Sequence, residues 1–220
     1  MVLALDHADH QIGSGIHVQK IKIVSRRIAF FDFDGTITTK DTMLKMIRYT
    51  FGPWKFMIGF MLNSPFIVAY KLGLISNHVA KQQVLRFFFG KLSTEKFNAL
   101  CREYAEEAIP LVVRAKAMKE IELLKLNGAA VIVVSASPEN WLQPWCHANG
   151  LQLLATRMQV SNGRITGRIE GLNCHGVEKV RRIREAFDLA QFDHVYCYGD
   201  TNGDKPMLEL ATVSFFKPFR

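Results

Sequence analysis

The run IAFFDFDGT, residues 28–36, confines the fold more than any other feature of the chain. Its first four residues are apolar in succession, so both faces of the strand they form need cover. That is the pattern of a parallel strand with helices packed on either side. The run then ends in two carboxylates, Asp32 and Asp34, one residue apart. Two further segments repeat the design. AAVIVVSAS, residues 129–137, is β-branched and ends in Ser135 and Ser137, and HVYCYGD, residues 194–200, ends in Asp200. Strands of this kind separated by helical patterns predict an α/β fold: a doubly wound, Rossmann-like, mostly parallel sheet.

The helical patterns divide the chain. Between the first and second strands, residues 41–110 read as all-helical. Asp41 caps TMLKMIRY, Gly52-Pro53 opens WKFMIGFML, and Ser64-Pro65 breaks the helix and starts FIVAYKL. Ser76 caps NHVAKQQVLRFFF, which Gly90 stops, and Ser93 caps a segment running to Ile109. After Pro110 come a helix over VRAKAMKEIELLKL closed by Asn127-Gly128, a short helix over PENWLQPWCHANG and a hairpin turning at Asn162-Gly163. A helix over VEKVRRIREAF follows, then one over KPMLELA and a last strand, VSFF. The expected organisation is an N-terminal extension (1–26), a core (27–40 and 111–220) and a helical insert over 41–110.

Composition sets the partners. With 28 Lys and Arg against 20 Asp and Glu, the net charge of +8 favours anionic ligands. Cys101, Cys146, Cys174 and Cys197 form no CxxC pair, which argues for reduced, buried thiols rather than a disulfide framework or zinc knuckle. No nucleic-acid motif accompanies the basic residues. DHADH, residues 6–10, reads as a solvated tail, His175 beside Cys174 as loop filler, and Trp141 and Trp145 as core. No secretory signal or spanning segment is visible, so the expected location is cytoplasmic, in contact with the inner face of a membrane where the insert is apolar.

In open α/β sheets ligands bind beyond the carboxyl ends of the strands. There the chain places Asp32, Asp34, Ser135 and Asp200, with Asp204 four residues on and Lys179 at a helix start. Acids crowded at one edge repel each other, and a divalent cation relieves them; hard oxygen ligands suit Mg²⁺, which commonly binds phosphate as well. An Asp beside such an ion is a nucleophile towards phosphorus, and a second carboxylate can move the proton.

Asp32-Phe33-Asp34-Gly35-Thr36, then VIVVSAS with Ser135, Lys179, and YGDTNGD with Asp200 and Asp204, in that order, resemble the haloacid dehalogenase superfamily. The helical insert is similar to the cap of its phosphoserine-phosphatase-like branch, subfamily IB. The resemblance implies that Asp32 is the nucleophile and a metal ligand, and that Asp34 is the general acid/base, with its carbonyl towards the metal. It also implies that Ser135 and the adjacent Ala136 hold the phosphoryl group, that Lys179 neutralises it, and that Asp200 and Asp204 serve the metal. SAS in place of SGG, and Gly203 in place of the Asn before the second acid, depart from the phosphoserine phosphatase pattern. The apolar cap segments (Trp54, Phe56 to Leu62, Phe66 to Val68, Phe87 to Phe89), with Lys55, Lys71, Lys81 and Arg86 among them, suit a membrane interface, and YKLGLIS, AKQQVLRFFFGKLS, SASPENWLQPW and YGDTNGDKPMLELA are similar to phosphatidylglycerophosphatase C-type members. The expectation is a Mg²⁺-dependent phosphomonoesterase acting through an aspartyl-phosphate on a lipid phosphate such as phosphatidylglycerophosphate. The alternatives are a soluble phosphomonoester such as phosphoserine, or transfer of the phosphoryl group to another alcohol.

Overall fold

The computed structural model describes residues 26–220, so the DHADH segment lies outside the described residues. Strands β1 (Arg27–Phe31), β2 (Ala130–Pro138), β3 (Gln152–Ser161), β4 (Arg164–Glu170), β5 (His194–Gly199) and β6 (Val213–Phe216) form one sheet in the order β4-β3-β2-β1-β5-β6. All neighbours run parallel except β3 and β4. That antiparallel pair turns at Asn162-Gly163, where both residues take positive φ (50° and 68°), as the sequence predicts for a tight hairpin.

The central strands are covered on both faces. Ala29, Phe31, Val131 and Val133 enter one core; Ile28, Phe30, Ile132 and Val134 enter the other. The alternation follows from the two-residue period of a strand, and it explains the uninterrupted apolar runs.

Between β1 and β2 stand α1 (Thr42–Lys71), α2 (Asn77–Phe89), α3 (Thr94–Glu107) and then α4 (Ala115–Leu126). Asp41, Ser76 and Ser93 cap α1, α2 and α3 as expected, accepting from the backbone N–H groups of Leu44, Val79 and Lys96. The chain leaves and re-enters the sheet side by side: Thr39 N donates to Val112 O (2.8 Å) and Arg114 N to Ile37 O (2.8 Å). Phe89, Phe97, Cys101 and Tyr104 of these helices share a core with Phe31, Val131 and Trp141.

Two expectations fail. Ser64-Pro65 does not break the helix, and α1 continues to Lys71; its one interruption is at Gly52, with φ 76° and ψ 170°. Proline at 65 removes the N–H that the Met61 carbonyl would have accepted. The Ser64 hydroxyl donates to that carbonyl instead, at 2.7 Å, and the helix survives. After β2 come α5 (Glu139–Ala148), α6 (Val177–Ala186) and α7 (Lys205–Leu208), the last a single turn where a longer helix was expected.

Candidate active site

The predicted acids and Ser135 sit at or just beyond strand ends, and Lys179 reaches them from a helix. Asp32 follows β1, and its N–H donates to Tyr198 O on β5 (2.9 Å), which seats it over the sheet edge. The chain then turns through Phe33–Ile37. Gly35 takes φ 88°, and a Cβ there would lie 2.4 Å from Asp200 Oδ2, so only glycine lets the turn approach that carboxylate.

Carboxylate oxygens of Asp32, Asp200 and Asp204 all lie within 4.8 Å of one another, and the three residues are buried. The donor set is all oxygen and all carboxylate, which fits a hard divalent cation such as Mg²⁺. Thr36 Oγ1 donates to Asp32 Oδ2 (3.2 Å) and Asp200 Oδ1 (3.4 Å). Lys179, from the first turn of α6, has a side chain 1% exposed; its Nζ donates to Asp32 Oδ1 (2.6 Å) and Asp204 Oδ1 (2.7 Å). Asp204 Oδ2 accepts from Asp200 N (3.2 Å), Thr201 N (2.9 Å) and Thr201 Oγ1 (2.8 Å), so Asp204 ties the loop after β5 to Lys179.

Burial shifts these groups. It raises the Asp32 carboxyl to about 7, with Lys179 opposing and Asp204 adding to the rise. Burial and Asp204 also raise Asp200. Asp204 moves the other way: burial is outweighed by Lys179 and by its bonds to Thr201. Burial opposes the Lys179 ammonium, yet Asp32 and Asp204 together hold it protonated well above its usual range.

Asp34 stands apart from the three acids. Its Oδ1 accepts from Thr42 N (2.6 Å) and its Oδ2 from Ser137 Oγ (2.5 Å). Thr42 Oγ1 lies 3.2 Å from Ser137 Oγ and accepts from Trp141 Nε1 (3.3 Å), so the first residue of α1 and the core indole fix this carboxylate. Burial, with Asp41, raises its pKa to about 6, against the bonds from Ser137 and Thr42.

A cavity of about 640 Å³ opens over these groups, lined by Asp32, Asp34, Ala136, Ser137, Lys179 and Asp204, with Phe60, Ile67, Tyr70 and Lys81 of the helical segment on its other wall. Ser135 is fully buried, and its Oγ accepts from Ser137 N (3.0 Å), which shapes the loop carrying Ala136. Sequence reasoning passed over three participants. Lys81 Nζ donates to the Ala136 carbonyl (2.7 Å). Arg220 pairs with Asp200, brought back by stacking of Phe219 on Phe31 and Tyr198. His175, read as filler, also lines the cavity; a Cβ on Gly203 would lie 2.0 Å from its Cε1, which accounts for glycine there. Trp141 is fully buried and Trp145 nearly so, as expected, and all four cysteines are buried and free.

Comparison with known proteins identifies the family. Residues 29–209 match the model of the family described as haloacid dehalogenase-like hydrolase. The chain is 34% identical over 193 residues to protein CicA of Caulobacter vibrioides, covering 86% of this chain and 85% of that one. It is 30% identical, over 85% of its own length and 67% of the relative's, to a Mycobacterium tuberculosis protein named as a probable phosphatase. Among solved structures, a protein of unknown function from Bordetella pertussis Tohama I superposes with a TM-score of 0.76 at 25% identity, covering 86% of this chain and 89% of that one. A substrate-bound phosphoserine phosphatase superposes with a TM-score of 0.59 at 20% identity, over 87% and 85% of the two chains, a likeness of fold. With its acids gathered at one edge of the sheet and residues 29–209 matched, the chain belongs to the haloacid dehalogenase-like hydrolase family, and it is an enzyme of that family.

Proposed function

We propose that the chain is a Mg²⁺-dependent phosphomonoesterase working through an aspartyl-phosphate on Asp32. The observation that carries this reading is the convergence of Asp32, Asp200 and Asp204 on one point, with Lys179 bridging two of them. Asp32, Asp200 and Asp204 would hold the ion, with the Asp34 carbonyl beside them, and the ion would neutralise phosphoryl oxygens and the nucleophile together. Asp32 attacks phosphorus, the bond from phosphorus to the ester oxygen breaks, and Asp34 gives its proton to the departing alkoxide. A pKa of about 6 leaves Asp34 partly protonated near neutrality, as a donor requires. Asp34 then takes a proton from water as the water's oxygen attacks the aspartyl-phosphate, which frees phosphate and Asp32. Lys179 and the Ser135–Ser137 loop, with Ala136 at its centre, receive the phosphoryl oxygens as charge builds. An alcohol in place of that water makes the same site a phosphotransferase.

The relative named as a probable phosphatase supports the reaction class. The helical segment over 41–110 acts in this reading as a cap: it supplies the far wall of the cavity and so selects the alcohol part of the ester. That wall is largely apolar, with Met43, Leu44, Phe60, Ile67 and Val84, which favours a lipid phosphate such as phosphatidylglycerophosphate over a small polar ester such as phosphoserine. Peripheral contact of the cap with the inner face of a membrane follows from that preference.

Turnover of p-nitrophenyl phosphate with and without EDTA tests the reaction. Chelation and Asp32→Asn should each abolish it while the fold is kept. Full activity in Asp32→Asn refutes the nucleophile, and full activity in EDTA refutes the metal.

A further inference from the structure

The helical segment has an outer face that the cavity does not use. Along α1, Trp54 (76% exposed), Met57, Ile58, Met61 (68%) and Leu62 occupy positions i, i+3, i+4, i+7 and i+8, so they form one apolar stripe turned to solvent. Half-buried Phe56, Phe60 and Ile67 pack inward. The apolar content of α1 is therefore more than a core for the helices; a full stripe of it is left over.

Beside the stripe lies a second cavity, of about 760 Å³, between α1, α2 and β4. Its lining joins Leu62, Phe66 and Phe87 to three cations, Arg86, Lys91 and Arg164. Among the described residues none of these cations pairs with a carboxylate. From Thr42 to Thr94 the chain carries seven Lys or Arg and no Asp or Glu. Apolar side chains with uncompensated cations beside them suit an anionic lipid interface. A second copy of the chain suits it poorly, because a two-fold contact would bring the basic, acid-free α1 and α2 against their own copies. No helix among the described residues is long and apolar enough to cross a membrane, so the helix would lie on the bilayer and not through it.

We propose that the face built by α1, α2 and β4 docks on an anionic phospholipid surface. Trp54, Met57, Ile58, Met61 and Leu62 enter the interface, and Arg86, Lys91 and Arg164 receive lipid phosphates in the second cavity. This deepens the lipid reading of the active site and rests on it for its purpose, but the two fail separately.

The test is flotation with phosphatidylcholine vesicles with and without phosphatidylglycerol, run beside p-nitrophenyl phosphate turnover. The full chain should float with the anionic vesicles at low salt, float poorly with phosphatidylcholine alone, and be released at high salt. Trp54→Glu with Met61→Glu should cut binding at least tenfold. Arg86→Gln with Lys91→Gln should cut it roughly thirtyfold, about fivefold per cation. Both double variants should keep p-nitrophenyl phosphate turnover within about twofold, since the substituted side chains are outside the catalytic cavity. No flotation of the wild type, equal flotation on neutral vesicles, or unchanged binding in either variant overturns the proposal. So does a dimer in light scattering that Trp54→Glu with Met61→Glu dissolves, because the face would then belong to a second copy. Phosphate release from lipid in detergent, without vesicles, reports on the substrate alone: if it is absent while flotation persists, the lipid-phosphate reading fails and the docking face stands.

Discussion

Replacing Lys179 by Met removes a buried cation from between two buried acids. In the native protein Nζ lies 2.6 Å from Asp32 and 2.7 Å from Asp204, and their side chains are 9% and 3% exposed, so solvent screens neither pair well. Methionine keeps the volume and loses the charge, leaving the acids facing each other. Breaking a buried pair at one partner typically costs about 3–5 kcal/mol. In a domain of this size that is a fall in Tm of about 6–20 °C. Thermal melts followed by circular dichroism, in EDTA at pH 7, measure it.

The pH dependence gives the prediction a direction. Lys179 lowers both Asp32 and Asp204. Without it both carboxyls rise in the folded state, which then holds more protons than the unfolded chain between about pH 4 and 7. Stability therefore increases as pH falls through that window, and more so in the variant than in the wild type. The gap in Tm should narrow from pH 7 to pH 5.5, and Mg²⁺ at pH 7 should narrow it too. A variant that melts with the wild type at pH 7 in EDTA, or whose deficit widens on acidification, refutes the account of Lys179 as the counter-charge of the site.

Two further outcomes follow from single contacts. Ser137→Ala removes a hydrogen bond at 2.5 Å that holds Asp34 in its charged form, so the Asp34 pKa, about 6, should rise by about one unit. In the proposed mechanism Asp34 acts first as an acid, so the alkaline limb of kcat/KM should move to higher pH; an unmoved limb would show that the limb belongs to another group. Burial raises all four thiols, Cys146 and Cys197 to about 12, so the native protein should react slowly with Ellman's reagent at pH 8 and yield four thiols on unfolding. The same shift means that the folded state holds thiol protons that the unfolded chain releases above about pH 8.5, so stability should fall as pH rises from there. A fast-reacting thiol in the native state would contradict the packing.

What can be read along the chain is whatever obeys a short period or a local cap. The strands around Phe30, Val133 and Cys197 announce themselves because burial on both faces demands apolar residues in succession. Asp41, Ser76, Ser93 and Asn162-Gly163 satisfy backbone groups only a few residues away. The gathering of Asp32, Ser135 and Asp200 is legible for the same reason, since parallel strands bring their carboxyl ends to one edge.

Tertiary structure decided the rest. Pro65 stays helical because the Ser64 hydroxyl takes over a carbonyl, a rescue that depends on a rotamer. Thr42 and Trp141 fix Asp34 from 8 and 107 residues away along the chain, Lys81 reaches Ala136 across 55, and Arg220 meets Asp200 only because Phe219 stacks on β1 and β5. Likewise, α1 carries apolar residues around much of its circumference, and only its packing shows that Phe60 and Ile67 wall the cavity over Asp32 and Asp34 while Trp54 and Met61 face water. A sequence states the period of a helix and the polarity of its residues; which side meets the core is settled when the other elements choose where to lie against it.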